Sequence, residues 1–96
     1  MLGHMLGCMD RDRSGRINPA RPVYVYVQVA DDIAEQIRSG ILAPGAMLPA
    51  ERDLAEIYGV AYLTARRAVR ELRDRGLVVT LPARGTFVVE RSADEG

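Results

Sequence analysis

A mainly α fold closed by a small β-hairpin is predicted by three features of this 96-residue chain. Three segments carry apolar residues at helical spacing, and each runs into a glycine: Gly40, Gly59 and Gly76. The second and third of these segments are separated only by Gly59-Val60-Ala61, a turn short enough to hold two helices at a fixed angle. Two β-rich runs, Leu77–Leu81 and Thr86–Glu90, then follow the third helix. This order describes a winged helix-turn-helix: three helices and a two- or three-stranded wing over residues 22–91, between a disordered tail at 1–21 and a disordered end at 92–96.

The first helix is expected to begin near Tyr26, after an extended lead-in from Pro22 to Val25. Val29, Ile33 and Ile37 recur every four residues, with Tyr26 and Ala30 on the same side and Asp31, Asp32, Glu35 and Arg38 opposite. Tyr26 at that spacing reads as a packing residue, with base stacking as the alternative. Ser39-Gly40 marks the stop, because glycine accepts the left-handed conformation that ends a helix. Pro44-Gly45 makes a turn, and Met47-Leu48 offers a further short strand for the wing.

Pro49 opens the second helix, where Leu54, Ala55 and Tyr58 form the inner face. Ala50 is a poor N-cap, a deficit of about 0.5–2 kcal/mol relative to Ser. Glu51 and Asp53 partly offset it by placing carboxylates at the positive end of the helix dipole.

The third helix, Tyr62 to Arg75, has two distinct faces. Ala65, Ala68, Val69 and Leu72 form one narrow apolar stripe, while Arg66, Arg67, Arg70 and Arg73 gather on the other side. One face can be buried while the other meets a polyanion. The pairs Arg67/Glu71, Arg70/Asp74 and Glu71/Arg75 are all i,i+4, so a solvated salt-bridge ladder is the alternative use of this face. Phe87 in the hairpin is expected to cap the core. The tip Pro82-Ala83-Arg84-Gly85 places a guanidinium beside a glycine, a combination suited to the negative potential of a DNA minor groove.

Charge is segregated along the chain. The net charge is zero, but residues 61–91 hold seven arginines against three acids, a net of +4. The positive half is therefore the half with the candidate reading helix and wing, which points to double-stranded DNA as the partner.

Other function classes find little support. The sole His4 and sole Cys8 lie in the tail, and no paired carboxylates or phosphate-binding glycine loop converge on a pocket, so no catalytic residue is assigned. One cysteine excludes an intrachain disulfide and a cysteine-based zinc cluster; reading His4 and Cys8 as metal ligands lacks further ligands. No metal, cofactor or small-molecule effector is expected. Met5-Leu6-Gly7-Cys8 lacks the basic start and apolar run of a lipoprotein signal, and no apolar run is long enough to span a membrane, so a cytoplasmic location without membrane attachment is expected.

Taken in order, LAPG, LPAERDLA, YGV, TARRAVREL, RGLV and RGTFV make the stretch from Tyr26 to Val89 resemble the winged helix-turn-helix domain of the GntR family of bacterial transcription regulators. The resemblance implies a third helix in the major groove and a wing touching the minor groove. Position by position, it implies that Arg52 contacts phosphate or a base edge, that Thr64 contacts a phosphate, and that Arg66 makes two hydrogen bonds to a guanine. Arg84 and Gly85 fall at the wing tip. The chemistry of Arg66 agrees, since a planar guanidinium matches guanine O6 and N7 and such a pair contributes about 1–3 kcal/mol of discrimination. Arg67, Arg70 and Arg73 are assigned to general attraction or surface ion pairs.

The chain departs from the family pattern at Ala61, Tyr62 and Leu63, where Ser or Thr, then Arg, then a polar residue are common. Ala61 removes a helix cap and a phosphate contact, Tyr62 replaces a frequent base-reading arginine, and Leu63 packs on a thymine methyl or on sugar. A changed operator preference is the expected consequence. Family members normally continue into an effector-binding, dimerising domain, and only a few residues follow Val89. The expectation is one half-site per domain, modest affinity, and weak homodimerisation on DNA or help from another regulator. The alternative function is a protein-interaction module that modulates another regulator without reading DNA.

Overall fold

The computed structural model describes residues 12–90. Three helices, α1 (Val25–Ser39), α2 (Glu51–Tyr58) and α3 (Tyr62–Asp74), are followed by an antiparallel hairpin of β1 (Val78–Leu81) and β2 (Gly85–Val88). The winged helix-turn-helix expectation is therefore met, and each helix boundary falls within one or two residues of its predicted place.

Apolar spacing decides which faces meet. Val29, Ala30 and Ile33 of α1, Leu54 and Tyr58 of α2, and Ala65, Ala68, Val69 and Leu72 of α3 converge with Leu42, Leu48, Val78 and Val88 in one core. Fully burying a side chain such as Ile33, Leu54 or Leu72 contributes about 1.5–3 kcal/mol, so these contacts set the angle at which α3 is presented. The turn between α2 and α3 depends on Gly59, whose φ of 66° is left-handed, while the Val60 amide donates to the carbonyl of Ala55 at 2.9 Å. Ala50 and Ala61 are the N-caps of α2 and α3, and neither helix start receives a side-chain capping bond.

The wing has two strands plus one additional bridge. Val78 pairs with Val88 and Leu81 with Gly85, and Met47 bridges to Phe87 from outside the sheet. Backbone bonds from Leu48 to Thr86 and from Val88 to Ala46, both 2.8 Å, fasten this third segment. The residue expected to cap the core changes by one position. Val88 and its partner Val78 face inward, whereas Phe87 pairs with exposed Val79 and stays half-buried. Alternate residues of a strand face opposite sides, so a register one residue away moves the core role from Phe87 to Val88.

Part of the expected tail is ordered. Residues 12–21 contain a 3-10 turn, Ser14–Arg16, docked on the helices. The Arg13 amide donates to the Ile57 carbonyl at 2.7 Å, and its guanidinium meets Asp32 of α1 at 2.7 Å. Gln28, buried on α1, accepts from the Asn18 amide at 2.8 Å and donates to the Asn18 and Val23 carbonyls. These partners replace the water that an unstructured leader would keep, which is why composition alone misplaced the segment. The readings of His4, Cys8 and the segment 92–96 lie outside the described residues. Among the described residues, no helix is long and apolar enough to cross a membrane, and no group of three or more metal-ligating side chains occurs.

Candidate nucleic-acid interface

The buried stripe of α3 leaves its opposite face in solvent. Leu63, Arg66, Arg67, Arg70 and Arg73 line a shallow, open depression along it. Arg66 and Arg70 are exposed and take part in no ion pair or side-chain hydrogen bond among the described residues. Their guanidinium donors remain available for an anionic or hydrogen-bond-accepting ligand. Arg73 is committed differently: its Nη1 donates to the Thr80 hydroxyl of β1 at 3.0 Å, tying the end of α3 to the wing.

The alternative use of this face, a salt-bridge ladder, is only partly formed among the described residues. Of the three i,i+4 pairs, only Glu71–Arg75 forms, at 3.0 Å, and Arg75 also reaches Asp31 of α1 at 2.9 Å. Arg67 turns toward α1 instead, with its guanidinium carbon 4.3 Å from the centroid of the Tyr26 ring. Tyr24 stacks on Tyr26 at 6.0 Å between centroids, and both tyrosines line a hollow with Leu63, Thr64 and Arg67. Tyr26 thus packs against the core, as its spacing predicts, and also supports an arginine of α3. Sequence reading missed the second role because Glu71, the obvious helical neighbour of Arg67, is taken by Arg75.

The first turn of α3 is open to solvent. Tyr62 is 47% and Leu63 67% exposed, so neither contributes a full side chain to the core. The Tyr62 hydroxyl donates to Glu51 at 3.2 Å, bringing it beside Arg52 in a hollow between the starts of α2 and α3. Leu63, Thr64, Arg66, Arg67 and Arg70 therefore share one continuous surface, with Tyr62 and Arg52 at its α2 edge. Arg84 and Gly85 are carried separately by the hairpin. Gly85 has a φ of 129°, and a Cβ there would lie 3.1 Å from Sδ of Met47, so local backbone geometry demands glycine.

A polar network beneath the helices fixes their relative position. The Tyr58 hydroxyl donates to Asp32 at 2.6 Å and accepts from Nε2 of Gln36 at 3.2 Å. Burial pushes the Asp32 carboxyl up, but hydrogen bonds from Arg13 and Tyr58 outweigh it and hold the group below the ordinary carboxylate value. Burial and the Asp32 charge push the Tyr58 hydroxyl far up, so it stays protonated as a donor. Sequence reading missed this network because Arg13, Asp32 and Tyr58 lie far apart in the chain.

Residues 25–88 match the family described as bacterial regulatory proteins, gntR family. The chain belongs to the GntR family. This GntR-family domain is 40% identical over 72 residues to the transcriptional repressor NagR of Bacillus subtilis, covering 75% of this chain and 30% of that protein. It is 42% identical to the histidine utilization repressor of Klebsiella aerogenes, covering 72% of this chain and 29% of that protein. The chain thus spans about 30% of the length of these relatives. Among solved structures, YtrA of Sulfolobus acidocaldarius, a GntR-family transcription factor, superimposes with a TM-score of 0.73 at 37% identity, covering 78% of this chain and 79% of that one. The AraR DNA-binding domain in complex with operator ORX1 gives a TM-score of 0.66 at 29% identity, covering 76% of this chain and 94% of that one.

Proposed function

We propose that this GntR-family domain is a sequence-specific DNA-binding transcription regulator, with α3 in the major groove and the β1–β2 wing at the minor groove. The observation that carries the reading is the solvent face of α3, where Arg66 and Arg70 have no ion pair or side-chain hydrogen bond among the described residues, which leaves their guanidinium donors free for an anionic partner. The AraR DNA-binding domain, similar in fold and sequence and solved in complex with an operator, supports DNA as the partner. Arg66 reads a guanine, Thr64, Arg67 and Arg70 contact the backbone, Arg52 contacts phosphate or a base edge, and Tyr62 and Leu63 face the bases or sugars next to Arg66. Arg84 enters the minor groove with Gly85 behind it.

One domain contacts one half-site, so affinity depends on a second copy on DNA or on another regulator. No catalytic or cofactor role is assigned to any residue of the domain, and a cytoplasmic location follows from its proposed target.

The test is selection of bound duplexes from a random pool, at two salt concentrations. An enriched motif that Arg66→Ala no longer prefers, with Arg52→Ala weakening all duplexes more uniformly, supports the reading. No enrichment, with retention unchanged in Arg66→Ala, would overturn it in favour of a protein-interaction module.

A further inference from the structure

We infer that Tyr26 is a positioning residue for DNA binding: its ring holds the Arg67 guanidinium at the α1 edge of the α3 surface, ready for a backbone phosphate. The inference rests on the DNA reading above and assigns a role outside the helix-turn-helix itself.

Three observations combine. The Arg67 guanidinium carbon lies 4.3 Å from the Tyr26 ring centroid, well within the range at which a cation is attracted to the π face. The ring is itself constrained, because Tyr26 is half-buried, packs against the core and stacks with Tyr24. Glu71, which would otherwise compete for Arg67 at i,i+4, is occupied by Arg75, and Arg75 is anchored in turn on Asp31.

The chemistry of the contact matters more than its strength. A carboxylate partner would occupy the N–H edge of the guanidinium and would have to be displaced by a phosphate. A ring face engages the π surface of the cation and leaves its in-plane N–H donors directed outward. Arg67 is therefore ordered without being neutralised, which reduces the side-chain entropy lost on binding. Its position between Tyr26 and the depression lined by Arg66 and Arg70 puts it at the rim of the reading face, where phosphate is the available anion.

The experiment uses the full chain and the duplex enriched by the unaltered protein, with affinity measured across a salt series. Tyr26→Leu is expected to weaken binding about two- to fivefold, while Tyr26→Phe, which keeps the ring, binds as the unaltered protein does. Arg67→Ala is expected to weaken binding and to lower the slope of log affinity against log salt by about one. In the Arg67→Ala background, Tyr26→Leu should add nothing. Additive losses would overturn the inference, since they would show that Tyr26 acts on the fold or on DNA independently of Arg67. Loss in Tyr26→Phe equal to that in Tyr26→Leu would overturn it too, by assigning the effect to the hydroxyl. Circular dichroism of each variant separates misfolding from these outcomes, and if Tyr26→Leu unfolds, weaker binding by a folded Tyr26→Phe, or an unchanged salt slope in Arg67→Ala, would still overturn the inference. Failure of the unaltered protein to enrich any duplex would instead overturn the DNA reading itself.

Discussion

The Tyr58 hydroxyl of α2 donates to Asp32 of α1 at 2.6 Å, and Arg13 binds the same carboxylate from the segment that precedes both helices. Three chain segments therefore meet at one charge. Replacing Asp32 with Asn keeps the shape but removes the charge, leaving Arg13 and Tyr58 with a weaker acceptor. A loss of about 1–3 kcal/mol near neutral pH is expected, measured by urea denaturation.

The same carboxylate makes stability depend on acid. Its pKa is held below the ordinary 3.8, so the unfolded chain takes up the proton first as pH falls. The stabilisation is complete above about pH 4 to 5 and is lost as pH drops through the folded pKa. Asp32→Asn should flatten this part of the profile. An identical acid-limb slope in both proteins would assign the acid sensitivity to other carboxylates.

Local patterning made the helices and their stops legible, because apolar spacing and glycine chemistry act within a few residues. Gly40, Gly59 and Gly76 all adopt positive φ where the sequence predicts helix ends. Partners distant in the chain were not legible. Nothing near Arg13 signals Asp32, and the choice between Phe87 and Val88 as the core residue turns on a single step of register set by pairing with β1. The arginine face of α3 was visible, but which of its members are free depended on Asp31, Tyr26 and Thr80, each on another element. A readable signal did exist for Gln36, which borders the apolar stripe of α1 beside Val29, but not for Gln28, which lies on the polar side of the helix and bonds to Asn18 and Val23 of the preceding segment.

The N-caps offer a direct gain. Ala61 has the extended backbone of a cap residue, with φ −66° and ψ 151°, but no side-chain acceptor for the first amides of α3. Ala61→Ser should stabilise the fold by about 0.5–2 kcal/mol without moving α3. The check is the denaturation midpoint with an unchanged m-value; a fall in the midpoint would show that the hydroxyl clashes or bonds elsewhere.

The hairpin turn stores strain at one residue and relieves it at another. Ala83 is the only non-glycine with positive φ among the described residues, at 67°, whereas Gly85 takes its φ of 129° without a side chain. Ala83→Gly is expected to stabilise by about 0.5–1 kcal/mol, the left-handed penalty less the added freedom of the unfolded chain. Gly85→Ala is expected to destabilise by about 1–3 kcal/mol, because φ and the Met47 sulfur both oppose a Cβ. Thermal unfolding of the two variants should move in opposite directions; a shared direction would mean that the turn rearranges.

Arg70 and Arg73 lie on the same face of α3 but differ in how they are engaged. Arg70 has no ion pair or side-chain hydrogen bond among the described residues, while Arg73 donates to Thr80, which is itself 2.9 Å from the Thr86 hydroxyl across the hairpin. If α3 lies in a major groove, Arg70 is free to neutralise phosphate, whereas Arg73 must first leave Thr80. Arg70→Ala should therefore lower the slope of log affinity against log salt by about one, and Arg73→Ala by clearly less. Thr80→Val releases Arg73 from the wing and should raise its share of the salt dependence, so Arg73→Ala should cost more in that background. Equal slopes for Arg70→Ala and Arg73→Ala in the unaltered background would show that the bond to Thr80 does not restrain Arg73 when DNA is bound.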